Sequence, residues 1–262
     1  MGKMEDWNKQ APGFGLLAEC GDFVVVEKPP GVLIHPTRPG GPRTLWHELR
    51  EWLCYELAVG GALSILTRLD RETSGLVLVA TRRSAARRLG KAMMRREIGK
   101  EYLAIVRGHP ADDAGWVDAP LLRAGEVEPS AVYVRQKVDG NGRPSRTGYT
   151  VIERGWHPVC GPVSLVRLEP RTGRMHQLRV HMAWMGHPLV GDKIYTSDDG
   201  GEYLEFIQTG WTDGLAERLG HWRQALHASA LIVEGRRFDS VLPEDLANWW
   251  EGVTVADYGP SS

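Results

Sequence analysis

The chain has 262 residues, enough to bury a full core in one large domain with at most a small appendage. Its three cysteines, Cys20, Cys54 and Cys160, are too few and too oddly numbered for a disulfide framework, so a stapled secreted fold is excluded and a reducing, cytoplasmic compartment is expected. The start MGKMEDWNKQAPGFG has no apolar stretch, and no later run is long enough for a spanning helix, so no membrane association is expected.

The formal net charge of −1 hides a segregation. From Asp192 onward thirteen acids face five bases, a balance of −8, which leaves +7 for the preceding residues. Between Arg82 and Lys100 eight basic residues face the single acid Glu97. A chain polarised in this way can present a positive face to nucleic acid despite its neutral total.

In chain order, the β-branched run Phe23 to Lys28 predicts a strand that ends at the turn Pro29-Pro30-Gly31. Thr44 is a candidate N-cap for one amphipathic helix carrying Leu45, Leu49, Trp52, Leu53 and Leu57 at helical spacing. Gly75 to Thr81 reads as a buried strand. Ser84 then opens a helix with an apolar stripe of Leu89, Ala92 and Met93 and a basic face of Arg87, Arg88, Lys91 and Arg95. Further strands are expected at Tyr102 to Gly108, Gly148 to Glu153 and Val163 to Glu169, the last two separated by a loop containing Gly, Pro and Trp. RMHQLRVHMAWM, bounded by Thr172-Gly173 and Gly186-His187-Pro188, predicts one short helix. Strands and helices interleave without a regular βαβ period, which favours a mixed α/β domain over a doubly wound parallel one.

Four blocks carry candidate chemistry. The first, Lys28-Pro29-Pro30-Gly31 with His35-Pro36, is either a structural turn or part of a binding edge. The second, Arg68 to Gly75, places Asp70 in a polar loop that feeds a buried strand, a position from which a rigid scaffold presents a side chain. Asp70 is either a cap of an Asx turn near Thr73 or a functional carboxylate, whose ionised form the flanking arginines favour. The third is Lys100-Glu101-Tyr102, where Tyr102 is either a core aromatic or a ring that stacks on a base. The fourth runs from Arg171 through Arg174, His176, Arg179 and His181 to Asp192. His176 and His181, five apart, are poorly spaced for a shared metal ion on either a helix or a strand, so no metal is expected there. Arginines at a helix start suit phosphates or a carboxylate better. Neither GxGxxG nor GxxxxGK[ST] occurs, and no cofactor is expected.

Taken in order, these blocks resemble the RluA-type family of RNA pseudouridine synthases. The family pattern runs KPxGxxxHP, HRLDxxTSGLLLLA, KxY and RTGRxHQxRVHxxxxGHPxxGDxxY. This chain offers KPPGVLIHP, TRLDRETSGLVLVA, KEY and RTGRMHQLRVHMAWMGHPLVGDKIY, followed by LHASAL and LPEDL. The resemblance covers about Phe23 to Leu246. It implies an α+β catalytic fold with a long, mixed, mostly antiparallel sheet, flanking helices and a central RNA-binding cleft. The expected division is an extension over 1–18, the catalytic domain over 19–250 and a tail over 251–262, with no room for an S4-type domain. It further implies isomerisation of uridine to pseudouridine in rRNA or tRNA by a monomer, with Asp70 as catalytic carboxylate, Tyr102 packing on the target base and Arg179 pairing with the Asp. Expected RNA contacts are Arg68, Thr73, Arg174, His176, Lys28 and His35, joined by Arg87, Arg88 and Arg95 of the basic helix. Thr67 stands where the family usually has His, so any contact of that ring is lost or replaced. Two other readings compete: a non-catalytic RNA-binding or assembly protein on the same scaffold, and a glycoside hydrolase using Asp70 and Glu72. The second is disfavoured because two carboxylates on one short loop need not flank a glycosidic bond.

Overall fold

A computed structural model describes residues 13–255. Within it the chain gathers into two compact units. One comprises the chain through Ile98 together with Ala230–Ser240, the other Gly99–Ser229 together with the chain from Val241. The expected domain over 19–250 therefore contains two units.

The first unit begins with strand β1 (Gly15–Glu19), paired antiparallel with β2 (Phe23–Lys28). The stretch read as an extension thus already contributes an edge strand. Helices α1 (Leu45–Trp52) and α2 (Cys54–Ala58) follow, then the short β3 (Ser64–Ile65), β4 (Ser74–Ala80) and α3 (Arg83–Met94). The single helix expected from Leu45 to Leu57 is interrupted at Leu53, whose φ of −90° and ψ of 18° leave the helical region. Thr44 does start it, its N–H donating to His47 Nδ1 at 3.3 Å. β4 pairs antiparallel with both β2 and β3. Phe23 and Val25 of β2 and Leu76, Leu78 and Ala80 of β4 face Ala85 and Leu89 of α3 in one core. The alternation in β2 leaves Val24 and Val26 on its other side, also buried, so the strand reads as an unbroken apolar run from Phe23 to Val26, ended by Glu27.

The second unit starts with β5 (Gly99–Arg107), β6 (Ala114–Asp118), β7 (Leu121–Arg123) and β8 (Gln136–Val138). It continues with β9 (Arg146–His157), β10 (Gly161–Pro170), α4 (Gln177–Trp184), α5 (Gly201–Thr209) and α6 (Asp213–Leu219). β10 pairs antiparallel with β5 on one side and β9 on the other, and β6 adds to β9. The expected loop around Trp156 shrinks to a tight connection, because β9 runs through Trp156 and pairs it with Pro162. β11 (Leu226–Val233) begins in this unit and ends in the first, where it pairs with β12 (Arg236–Asp239). α7 (Glu244–Glu251) and β13 (Thr254–Val255) close the chain's described part, β13 pairing with β9 inside the stretch read as a tail. Ala104 and Val106 of β5, Val166 and Leu168 of β10, and Leu178 and Met182 of α4 form this unit's main core.

Candidate active site

In the first unit, the loop bearing Asp70 is braced from below by the end of β2. Lys28 is 1% exposed, and its ammonium donates to three main-chain oxygens: Pro29 at 2.7 Å, Val32 at 2.9 Å and Arg71 at 3.0 Å. A buried cation requires such partners, and these oxygens come from two segments far apart in sequence. Gly31, at a φ of 84° that only glycine adopts without strain, donates its N–H to the Arg71 carbonyl at 2.8 Å. Arg71 Nε returns a bond to the Gly31 carbonyl at 3.0 Å. The KPPG turn and the Asp70 loop are thereby stapled together. The expectation that Lys28 contacts RNA is corrected: its ammonium is enclosed by the protein's own carbonyls.

Asp70 is half-buried, between buried Leu69 and exposed Arg71. The Thr73 N–H donates to the Asp70 carbonyl at 3.2 Å, closing a turn that delivers buried Thr73 and Ser74 into β4. Thr73, expected at the RNA, is 2% exposed and belongs to this turn, which is a second correction. Thr67 is buried as well, and its hydroxyl accepts the Leu78 N–H at 2.8 Å, tying the start of the loop to β4. Arg68 and His35 are both exposed. Partial burial, then the nearby Arg68 charge, holds the His35 ring below its ordinary pKa.

On α3 the arginines divide. Arg87 on the helix and Arg95 at its C-cap are exposed, Arg95 with a Glu97 oxygen 3.7 Å away. Arg88 grips Asp22 through Nη1 and Nη2 at 2.8 and 3.0 Å and Glu234 through Nε at 2.6 Å. Asp22 is held below the ordinary carboxylate pKa chiefly by that hydrogen bond. Arg88 is thus also a surface tie, each of its three nitrogens bonded to a carboxylate while its side chain stays 45% exposed.

In the second unit Tyr102 lies on β5 opposite Leu168 of β10, half-buried against the core of Ala104, Val106 and Leu168. Lys100, two residues earlier, approaches Gly173, and burial lowers its pKa. The loop 171–176 is shaped by Gln177. Its Oε1 accepts from Thr172 Oγ1 at 2.7 Å and the Arg174 N–H at 3.0 Å, and its Nε2 donates to the Arg146 carbonyl and Thr147 Oγ1, both at 3.0 Å. Arg174 remains exposed, with Nε at 3.4 Å from the Pro144 carbonyl. His176 ends the loop in the left-handed region at a φ of 54°, with Nδ1 2.8 Å from the Tyr195 hydroxyl.

α4 is buried from Gln177 through Met182, although three of those six side chains are polar. Each polar group is therefore paired. His181 meets Thr147 Oγ1 at 2.8 Å and the Ala119 carbonyl at 3.0 Å, and burial depresses its pKa. Arg179 forms a bidentate pair with Asp192, Nε at 2.7 Å and Nη2 at 2.8 Å. Burial of Asp192 works to raise its pKa, but the Arg179 charge and bonds and the Ile194 N–H outweigh this and hold it below the ordinary carboxylate value. Gly191, just before it, cannot carry a side chain, since a Cβ there would run into the Arg223 carbonyl.

The model of the RNA pseudouridylate synthase family matches residues 22–184, from the start of β2 through the end of α4. The chain belongs to this family. As an RNA pseudouridine synthase it is an isomerase, and its relatives are of the RluA type. It is 36% identical over 198 residues to the dual-specificity RNA pseudouridine synthase RluA of Escherichia coli, covering 75% of this chain and 84% of that one. It is also 36% identical to an RNA pseudouridine synthase of Chloroflexus aurantiacus, covering 75% of this chain but only 60% of the relative's length. Among solved structures, human RNA pseudouridylate synthase domain containing 1 superposes with a TM-score of 0.69 at 27% identity, over 94% of this chain and 89% of that one. These likenesses bear out the expected α+β synthase fold.

Relative to the usual family pattern, the Thr67 hydroxyl replaces a ring with a short main-chain tether. Several residues escaped the sequence reading. Gln177 and Asp192 lay inside the quoted motif, yet a motif match does not say which of its polar groups face one another. Lys100 was quoted only as the start of a strand. Its burial follows from the loop at Gly173, about seventy residues away.

Proposed function

We propose that this protein converts specific uridines in structured RNA to pseudouridine, with Asp70 as the catalytic carboxylate. The reaction cuts the N1–C1′ bond, turns the uracil and rejoins it through C5. N1 gains a proton and C5 loses one, so no external reactant is consumed. The target base must first leave its stack, at a cost of a few kcal/mol that new contacts offset. Tyr102 supplies an aromatic face for the base, Arg179 an oriented guanidinium for the carboxylate, and exposed Arg68 and Arg174 contacts to the RNA backbone. An ionised Asp70 serves both available routes, addition at C6 of the ring and assistance at the sugar through a glycal.

The observation that carries the reading is the construction of the Asp70 loop. A half-exposed carboxylate sits on a turn fixed by main-chain bonds at Gly31, Arg71 and Thr73, immediately before a fully buried strand. Relatives named ribosomal large subunit pseudouridine synthase D and dual-specificity RNA pseudouridine synthase RluA support rRNA or tRNA as the substrate class. No helix among the described residues is long and apolar enough to cross a membrane. We read the protein as a monomer and place it in the cytoplasm, the compartment being supported by its three free cysteines.

The test is to incubate purified protein with unmodified rRNA and tRNA transcripts, without added cofactor, and to map pseudouridine by mass spectrometry. Conversion at defined positions that Asp70→Asn removes is the expected result. Full activity in Asp70→Asn would overturn the mechanism, and RNA binding without conversion by the wild type would leave only a binding protein.

A further inference from the structure

The second unit carries an exposed aromatic and basic surface that the catalytic assignment does not use. Trp116 of β6 lies opposite Gly148 of β9, and the absence of a side chain at Gly148 lets the indole settle across the strand, where a Cβ would stand 3.2 Å from the ring. Two guanidiniums pack on that indole, Arg146 at 4.4 Å and Arg171 at 5.4 Å from its centroid. Both distances fall within the range of cation–π attraction. An arginine stacked flat on an indole keeps its N–H edge available, and the side chains of Arg146 and Arg171 remain 51% and 57% exposed.

The backbone beneath them is fixed. The Arg146 carbonyl accepts the Arg171 N–H at 2.9 Å and Gln177 Nε2 at 3.0 Å, and the Arg146 N–H donates to Thr172 Oγ1 at 3.0 Å. The nearest carboxylates, Asp118 at 3.9 Å from Arg146 and Glu169 at 3.6 Å from Arg171, stand beyond hydrogen-bonding distance. Two pre-oriented, weakly paired guanidiniums on one shelf match the chemistry of phosphodiester oxygens, because little side-chain freedom is left to lose on binding.

We propose that Trp116, Arg146 and Arg171 form a phosphate clamp that grips the RNA backbone away from the reacting nucleotide, on the side of the loop where Arg174 is exposed. The proposal rests on RNA being the substrate. Its experiment reads binding rather than catalysis, so the two can fail separately.

The full-length protein is titrated against a fluorescent single-stranded oligouridylate at several salt concentrations. Each phosphate neutralised contributes about 0.7 to the slope of log K against log salt, so Arg146→Gln/Arg171→Gln is expected to weaken binding and reduce the slope by about 1.4. Wild-type affinity and slope in that double variant would overturn the clamp. Should the double variant not fold, Asp118→Asn/Glu169→Gln keeps both arginines and removes their carboxylate competitors. Binding about threefold tighter is then expected, and unchanged or weaker binding overturns the proposal. Polyglutamate that competes as well as the RNA would also overturn it, by making the surface a site for acidic protein. A wild type that makes pseudouridine while the double variant keeps its slope defeats the clamp alone. A wild type that binds through the clamp yet makes no pseudouridine defeats the synthase reading alone.

Discussion

The loop of Asp70 and the helix of Arg179 each enclose a buried cation, and they do so with different partners. In the first unit the Lys28 ammonium gathers main-chain oxygens of Pro29, Val32 and Arg71. In the second the Arg179 guanidinium meets the Asp192 carboxylate, which also accepts the Ile194 and Tyr195 N–H groups at 3.0 and 3.2 Å. The described bracing of the Asp70 loop thus joins the side-chain donors of Lys28 and Arg71 and the Gly31 N–H to main-chain oxygens, and a change of the Asp70 side chain leaves those bonds in place. The bracing of α4 runs through a side-chain ion pair, so a change at either end leaves a buried charge behind. A change at Asp70 therefore leaves the described bonds of Lys28, Arg71 and Gly31 in place, whereas a change at Arg179 or Asp192 removes the ion pair of α4.

The largest expected effect follows directly. Asp70→Asn should lower the rate of pseudouridine formation on the order of 10³-fold or more while the thermal midpoint stays at the wild-type value. A collapse of the midpoint would show that the Asp70 carboxylate is structural and erase the contrast. Asp192→Asn should do the opposite, destabilising the protein by about 3 to 5 kcal/mol in urea titration, because a buried guanidinium loses its counter-charge. Lys28→Met should fall between these. Orphaned carbonyls cost about 2 to 3 kcal/mol, and activity falls with the loop's disorder rather than with lost RNA affinity. RNA affinity that drops without loss of stability in Lys28→Met would return that residue to the RNA interface.

Two smaller effects sharpen the comparison. Arg88→Gln should cost less than about 1 kcal/mol and leave the salt dependence of RNA binding unchanged, whereas Arg87→Gln/Arg95→Gln should flatten the slope by about 1.4 on a single strand. Part of the pH response should come from the second unit. His181, whose folded pKa is depressed below the ordinary 6.5, contributes stability that is present above that value and lost as pH falls below it toward the folded pKa. Asp192, depressed below 3.8, adds a further loss only at lower pH still. The urea midpoint should therefore drop between about pH 7.5 and about pH 5.5, and His181→Asn should flatten that part of the curve.

The sequence alone determined the elements whose signals are local and the motif order that marks the family. β2 and β4 are β-branched runs, α3 shows its stripe at Leu89, Ala92 and Met93, and Asp70 is set in a polar loop before a buried strand. Periodicity could not reveal β1, an exposed edge strand without alternation, nor the break at Leu53, where an amphipathic pattern continues through a turn. Only the tertiary structure decided how the charges pair. Arg88 reaches Asp22 and Glu234, 66 and 146 positions away, at the surface, and Lys28 reaches Arg71 across 43, so a lysine that looks like an RNA contact in a motif is enclosed inside the protein. Residue type and local spacing fix what a side chain can do, but a cation donates to whichever oxygens the fold brings within about 3 Å, and long-range contacts set those neighbours.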